Sequence, residues 1–236
     1  MKKLVWGWLT TAAGIVLFTF IVLRMDLWAA VLTFLFPGES EVIYPRVDLV
    51  SMTVEHLVLV GVSSAAAFLT GTAAGIFVMQ PAGTDFRRIA DDLGSLSQTI
   101  PPVAVLALAV PLTGFGVAPT VLALYLYSIL PVLRNTISGI ESVPGAVKES
   151  AAGMGMTRTQ RLFMVEIPLA MPLIMSGVRI SVVINIGTAT LGAVVGAGGL
   201  GVPIISGLVR ENPAFVMEGA ATAAMLAFIA DRFFSL

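Results

Sequence analysis

Residues 149–172 read ESAAGMGMTRTQRLFMVEIPLAMP and stand out within a very apolar chain. The stretch carries four charged residues, two glycines and two prolines. An uncharged run, 93–133, precedes it, and a further apolar segment begins inside it at Ile167. A polar stretch between two segments of membrane-spanning length points to a water-exposed element of a membrane protein.

The composition of the whole chain supports that class. Hydrophobic residues make up 57% of the 236 residues and charged residues 11%, with a mean hydropathy of +0.98. A soluble domain carries about 25% charged residues. The chain therefore lacks the charge that a water-facing surface needs, and we predict an integral membrane protein.

Several classes of function are disfavoured by the residues that are missing. The chain has no cysteine and one histidine, His56, so it offers no disulfide, thiolate or multi-histidine metal site. Its net charge of −1 gives no indication of a nucleic-acid partner. No serine, histidine and acid arrangement suggests hydrolytic chemistry. We therefore predict neither catalytic residues nor a metal site.

The apolar runs predict an all-α membrane bundle. A helix needs about 20 apolar residues to cross a bilayer. The run 93–133 is too long for one crossing, and prolines and glycines favour a turn within it at 110–119. We predict about six spans: Leu4–Leu23, Leu57–Met79, two within Leu93–Leu133, Ile167–Gly187 and Ala214–Phe234.

The N-terminal residues MKKLVWGW could begin a signal peptide. The apolar run that follows is longer than the usual core of such a peptide, and no clear cleavage site follows it. We therefore favour an uncleaved first span with a cytoplasmic N-terminus.

Basic residues support this orientation, because cytoplasmic loops are enriched in lysine and arginine. Of the 13 basic residues, nine then lie on the cytoplasmic side and three outside, which leaves Arg179 within a span. This orientation puts the loop of about residues 134–166, between spans four and five, in the cytoplasm.

The 134–166 loop is long, since most connections have about 4 to 6 residues. Ser142 is predicted to cap a short helix that ends at Gly153 and Gly155, and Thr157 with Gln160 predicts a capping box for a second short helix. The residues alone leave two interpretations open. The loop is either a connection whose helices merely need capping or a docking element for a cytoplasmic partner.

The loop resembles the "EAA" signature of binding-protein-dependent ABC importer permeases. In that family Glu-Ala-Ala is followed by glycine at the seventh position and by an apolar-x-Leu-Pro ending about ten residues later. Here serine replaces the first alanine and isoleucine the leucine, and both are mild departures that leave the docking assignment standing. The residues that carry this signature are Glu149, Ser150, Ala151, Gly155, Val165, Ile167 and Pro168.

The resemblance covers roughly residues 54–236. The stretches HLVLVGVSSAAAFLTGTAAGIFV at 56–78 and GAVVGAGGLGVPIISGL at 192–208 look most like permeases for glycine betaine, carnitine and choline, although methionine-type importers have related stretches. The resemblance implies that the chain has two parts: an N-terminal span with an outer connector at 1–53, and a permease domain at 54–236 similar to the type I ABC importer fold.

The resemblance also implies partners. Residues 142–162 would form coupling helices that dock on one of two cytoplasmic ATP-binding subunits. A second copy or a sister permease and an external substrate-binding protein would complete an importer in the bacterial inner membrane. The chain has no G-x-x-x-x-G-K-[ST] loop, so it binds no cofactor of its own and ATP is used by the partner.

Two charges lie within the predicted spans away from the span ends. Arg179 is roughly 18 Å above the cytoplasmic end of span five and Glu218 near 24 Å on the same scale, at about 1.5 Å per residue. Lone charges at such depth are costly, so we predict that the two pair or share a wet cavity. Alternatively, Glu218 reaches the outer interface and Arg179 bonds to Asn185 or to backbone carbonyls.

Other features admit two interpretations each. The GxxxG patterns Gly71–Gly75 and Gly192–Gly196 favour internal packing over a subunit contact. Residues 188–212 form either a partial helix near the outer mouth of a path or a packed loop. Glu55 and His56 form a solvated edge by default and a path-lining pair otherwise.

Rival classes are an importer of another small solute such as an amino acid, an ion-coupled secondary transporter and an intramembrane enzyme. Ion coupling needs acidic residues within spans, and only Glu218 lies away from a span end. No catalytic pair is evident in the spans. We therefore predict a non-enzymatic permease.

Overall fold

The computed structural model describes residues 2–96 and 100–235, with side chains described for 8–90, 92 and 100–235. This part of the chain is helical and contains no β-strand. The α-helices are α1 Lys2–Leu23, α2 Met25–Leu35, α3 Leu49–Val78, α4 Arg87–Leu96, α5 Pro102–Thr113, α6 Val117–Glu141, α7 Gly145–Gly153, α8 Arg158–Arg161, α9 Ile167–Ala189, α10 Gly201–Arg210 and α11 Pro213–Phe234. Short 3₁₀ turns occupy Thr84–Phe86 and Thr190–Val195, and a π-turn occupies Leu162–Glu166.

Four helical segments are long and apolar enough to cross a membrane by themselves: Leu49–Val78, Val117–Glu141, Arg158–Val195 and Pro213–Phe234. A fifth candidate is Trp8–Leu23 with Met25–Leu35, if this bent pair counts as one span. The all-helical membrane fold predicted from the composition is therefore confirmed.

The third predicted span differs from the prediction. The predicted break is present, because α5 ends at Thr113 and α6 begins at Val117. However, α5 has 12 residues, which at about 1.5 Å per residue is roughly 18 Å. That length is well below the hydrocarbon thickness of about 30 Å. An uncharged run tells how much chain can lie in lipid, but not where its helices start.

The chain turns sharply at the C-terminal end of α1. Trp8–Leu23 and Met25–Leu35 meet at 87°. The break is at Arg24, whose guanidinium donates to both carboxylate oxygens of Asp26 at 3.0 and 2.8 Å. The predicted outer connector therefore begins with an 11-residue helix, α2.

The described residues divide into two compact units. The first comprises residues 1–63, 102–124 and 182–236. Its core surrounds Phe215, which is 1% exposed and packs edge-to-face on Tyr44 with ring centroids 5.7 Å apart. The other fully buried core side chains are Leu49, Met52, Leu59, Leu124, Ile186 and Leu200. They come from α3, α6, α9 and the loop before α10, and Phe215 comes from α11, so this core is assembled from distant parts of the chain.

The second unit comprises residues 64–101 and 125–181. It is built on close contact of α3 with α6. A Cβ placed on Gly75 would lie 2.7 Å from Thr136 Cγ2, and one on Gly71 would lie 3.0 Å from the Ile129 carbonyl oxygen. The first GxxxG pattern therefore packs two helices of the same chain, as predicted.

In the first unit, Gly192 also lies close to another element. A Cβ there would lie 2.6 Å from Thr120 Cγ2, so Gly192 serves internal packing. Gly196, the other glycine of the second GxxxG pattern, instead ends the 3₁₀ turn with φ +80° and makes no such close contact. The predicted boundary between residues 53 and 54 remains a prediction.

Candidate functional site

Helix α7 ends in a Schellman motif, in which the last carbonyls of a helix accept from the two residues beyond it. The Met156 N–H donates to Ala151 O at 3.2 Å and the Gly155 N–H to Ala152 O at 2.9 Å. Gly155 has φ +81°, a left-handed conformation that costs a side-chain-bearing residue energy. Gly153 is the last helical residue, so both glycines end the helix as predicted.

The predicted capping box is present at the start of α8. The Gln160 N–H donates to Thr157 Oγ1 at 3.3 Å, and the Thr157 N–H donates to Gln160 Oε1 at 2.8 Å. These two bonds satisfy donors that a helix start otherwise leaves unpaired. The capping box and the Schellman motif together fix the bend between α7 and α8.

The predicted cap at Ser142 is wrong. Helix α6 continues through Glu141, and Ser142 Oγ donates back to Gly139 O at 2.7 Å. A serine hydroxyl readily bonds a carbonyl of the preceding turn, which explains the difference. Instead, α7 follows Pro144 without a side-chain cap. Lys148 Nζ donates to Ile140 O at 3.0 Å and ties α7 to the end of α6.

The second predicted short helix is not separate from span five. Residues Arg158–Val195 form one continuous helical segment of 38 residues. Just before Pro168 the helix widens into the π-turn, where the Ile167 N–H donates to Leu162 O, five residues back. Pro168 cannot donate a backbone hydrogen bond, and its ring crowds the carbonyl four residues earlier. The π-turn relieves this conflict and keeps the loop rigidly joined to α9.

The signature residues differ in exposure. Ala151 is 2% exposed and anchors α7. Val165 and Ile167 are half-buried. Glu149, Ser150 and Gly155 are exposed in and just after α7, and Pro168 is exposed at the start of α9.

Glu149 and its neighbours present an open surface. Ser150 Oγ donates to Ala146 O at 2.7 Å, so its hydroxyl is already used. Glu149 forms no ion pair within the described part of the chain. Apart from the adjoining residues 154 and 156, no described residue has an atom within 4 Å of a Cβ placed on Gly155, and Met154 is 76% exposed. The loop thus offers an acid, a thioether and an uncovered backbone bend.

Polar contacts within the second unit fix this surface in place. Arg158 Nε donates to Gln80 Oε1 at 3.2 Å, just beyond α3. Arg161 Nε bonds Glu166 Oε1 at 2.9 Å across the π-turn. Arg87 forms an ion pair with Glu141 at the end of α6. The sequence did not indicate the partners of Arg158 and Arg87, because no local pattern links residues so far apart.

Glu218 has a partner that the sequence did not indicate. Its side chain is fully buried on α11, and Oε2 accepts from the Tyr44 backbone N–H at 2.8 Å. Its other oxygen, Oε1, has no hydrogen-bond partner among the described residues. Tyr44 belongs to the connector between α2 and α3, so the carboxylate ties that connector to a span. Arg179 lies half-exposed on α9 in the second unit, and its pairing with Glu218 remains a prediction.

The 188–212 segment contains a partial helix, the ten-residue α10. Glu55 holds the glycine-rich loop before it: Oε2 accepts from the Gly199 N–H at 2.9 Å. His56 is fully buried and its Nε2 bonds Ile186 O at 2.9 Å. These two residues therefore do more than form a solvated edge.

Residues 67–234 match the family described as "Binding-protein-dependent transport system inner membrane component". The chain is 41% identical over 186 residues to the osmoprotectant import permease protein OsmY of Salmonella typhimurium, which covers 79% of each chain. It is 38% identical over 206 residues to the glycine betaine/carnitine/choline transport system permease protein OpuCB of Bacillus subtilis, which covers 85% of this chain and 88% of that one.

The fold is similar to that of solved ABC importers. The permease in an inward-facing structure of the MetNI methionine ABC transporter matches with a TM-score of 0.66 at 22% identity, over 79% of this chain and 94% of that one. At this identity the match supports the fold and not the solute. The extent of the family match and the identity to its members lead to one conclusion: the chain is a membrane-embedded permease of the binding-protein-dependent ABC importer family.

Proposed function

We propose that the chain forms the translocation path for a quaternary-amine osmoprotectant such as glycine betaine, choline or carnitine. The observation that carries this proposal is the identity of 41% and 38%, over most of the chain, to permeases named for osmoprotectants. Quaternary amines keep their charge and are held in proteins by aromatic cages. The few Trp and Tyr residues here are scattered, so recognition resides in an external substrate-binding protein and this chain supplies a gated path.

The energy for transport comes from outside the chain. We place the exposed α7 surface, with Glu149 and Gly155, in a groove of a cytoplasmic ATP-binding subunit. A complete importer has two such subunits, a second copy of this chain or a sister permease, and the substrate-binding protein, all at the bacterial inner membrane. ATP is bound and hydrolysed by the ATP-binding subunits.

The geometry of the loop supports a coupling role. A force applied at α7 passes through the capping box and the π-turn into α9, since Arg158–Val195 is one helical segment. Coupling between sites requires a physically continuous element with two arrangements, and a helix moving as a body can provide it. The polar bonds of Arg158 and Arg161 prevent the loop from absorbing the movement locally.

Solute uptake tests the proposed substrate. Bacterial cells with and without this chain, but with its partner subunits intact, are given labelled glycine betaine, choline, carnitine or methionine. Uptake of at least one quaternary amine that depends on the chain is expected. Chain-dependent uptake of methionine alone would contradict the proposed solute class and leave the permease assignment in place.

A further inference from the structure

We propose that the groove between α1 and α11 binds one anionic phospholipid, with an acyl chain along the groove and the phosphate on Arg232. The groove has a volume of about 310 Å³. Its lining residues share an apolar or small side chain: Gly14, Leu17, Ala224, Met225, Phe228 and Ile229. Because α11 is a spanning helix, these residues lie in the membrane. The inference rests on the membrane assignment and does not depend on the transported solute.

Gly14 keeps the groove open. A Cβ placed on Gly14 would lie 3.4 Å from Ile229 Cγ1, an ordinary van der Waals contact. An alanine would therefore fit, whereas a leucine at this position would fill the space between the two helices. A groove of this shape in lipid is suited to a flexible hydrocarbon chain.

Arg232 marks one end of the groove. Its guanidinium carbon lies 5.3 Å from the ring centroid of Phe228, which is itself a groove residue. Arg232 is exposed and lies in the last turn of α11. Within the described part of the chain it forms no ion pair. A cation thus sits where an apolar groove meets the end of a span.

Arg24 provides an internal contrast at the other end of α1. It also stacks on a phenylalanine four residues earlier, with its guanidinium carbon 5.9 Å from the Phe20 centroid. Arg24, however, is bound by both oxygens of Asp26. Both arginines stack on a phenylalanine, but the chain supplies a carboxylate only to Arg24. Arg232 is therefore available to an external anion.

These features together identify the occupant. A second copy of the chain would fill the groove with an apolar helix but would not thereby supply an anion to Arg232. A phospholipid supplies both an apolar chain and a phosphate, which arginine binds in a planar, bidentate manner. A headgroup without an ammonium leaves the anion uncompensated, so phosphatidylglycerol fits better than phosphatidylcholine.

Lipid binding by the purified full chain in detergent tests the proposal. Native mass spectrometry measures the Kd of the first bound dioleoyl phosphatidylglycerol and of the first dioleoyl phosphatidylcholine. The expected preference for phosphatidylglycerol is about fivefold, the ratio that corresponds to about 1 kcal/mol per basic residue near an anionic surface. Equal Kd values for the two lipids would overturn the proposal.

Variants test the contribution of the headgroup contact and that of the groove separately. Arg232→Gln should abolish the fivefold preference, whereas the matched control Arg24→Gln should keep it. Arg232→Lys keeps the charge and loses the bidentate contact, so it should retain only part of the preference. Gly14→Leu should weaken both lipids by the same factor. A preference that survives in Arg232→Gln, or unchanged lipid binding in Gly14→Leu, would refute the assigned site.

Competition with inorganic phosphate shows whether the bound anion is a lipid headgroup or free phosphate, and the mass spectrum also shows whether a second copy of the chain occupies the groove. Inorganic phosphate at millimolar concentration should not displace phosphatidylglycerol, because the acyl chain supplies most of the contact. Displacement by phosphate, or a dimer of the chain in place of lipid adducts, would contradict the assignment of a phospholipid to the groove.

Discussion

Replacement of Gly155 tests the proposed coupling role of the 134–166 loop most sharply, because the structure separates two reasons for a glycine there. The first is conformational: φ is +81° at Gly155, and the left-handed region costs other residues about 1 to 2 kcal/mol. The second is space for a partner, since apart from the adjoining residues no described atom lies within 4 Å of a Cβ at this position. Asparagine tolerates the left-handed region, so Gly155→Asn retains the bend while it adds a side chain.

The expected loss of affinity follows from the energetic cost of the left-handed conformation. A cost of about 1 to 2 kcal/mol lowers the ratio of the native bend to other loop conformations by about 5- to 30-fold. Gly155→Ala should lower affinity for the ATP-binding subunit by up to that factor, and Gly155→Leu by more if a partner backbone approaches closely. Gly153→Ala is the matched control, because Gly153 ends α7 without a positive φ and faces open space.

The assay combines three measurements on each variant: the amount of chain in the membrane, capture of the ATP-binding subunit and solute uptake. Membrane levels should stay unchanged in all four variants. Capture and uptake should fall in Gly155→Ala and Gly155→Leu and stay normal in Gly153→Ala. If Gly155→Asn behaves like Gly155→Leu, partner space dominates over backbone strain. Normal uptake and normal capture in Gly155→Leu would refute the coupling assignment.

Three further predictions address orientation, buried charge and capping. In intact cells an impermeant thiol reagent should label Glu41→Cys and leave Thr159→Cys unlabelled, and the opposite pattern would reverse the proposed orientation. A double-mutant cycle of Arg179→Ala and Glu218→Ala should show single losses of folded yield or uptake that exceed the loss of the double variant; strictly additive losses would mean that the two charges do not interact. Thr157→Ala should destabilise the start of α8 by about 0.5 to 2 kcal/mol and raise amide exchange at residues 158–161, and unchanged exchange would show that the capping box contributes little.

The sequence was sufficient for features that depend on local chemistry or on composition. A charged fraction of 11% was enough to predict the membrane class. Gly155 and the pair Thr157–Gln160 marked the helix ends correctly, since caps depend on residues a few positions apart. Hydropathy alone was less informative about length, and the 12-residue α5 shows that an uncharged run need not be a complete span.

Features set by distant contacts could not be predicted. The bond from the Tyr44 N–H to Glu218 joins residues 174 positions apart, and nothing in either local sequence indicates it. The same holds for Arg158 with Gln80. The cap predicted at Ser142 was wrong because the choice between the end of α6 and the start of α7 depends on how far α6 continues.

Uptake of labelled glycine betaine into proteoliposomes tests the central claim most directly. The vesicles contain either this chain alone or the complete importer with its ATP-binding subunits, and the substrate-binding protein is added outside. Uptake should require the complete importer, the binding protein and ATP on the side of the ATP-binding subunits, and it should be lost with Gly155→Leu. Uptake by the chain alone, driven by an ion gradient without ATP, would contradict a permease that depends on ATP hydrolysis by partner subunits and would indicate a secondary transporter.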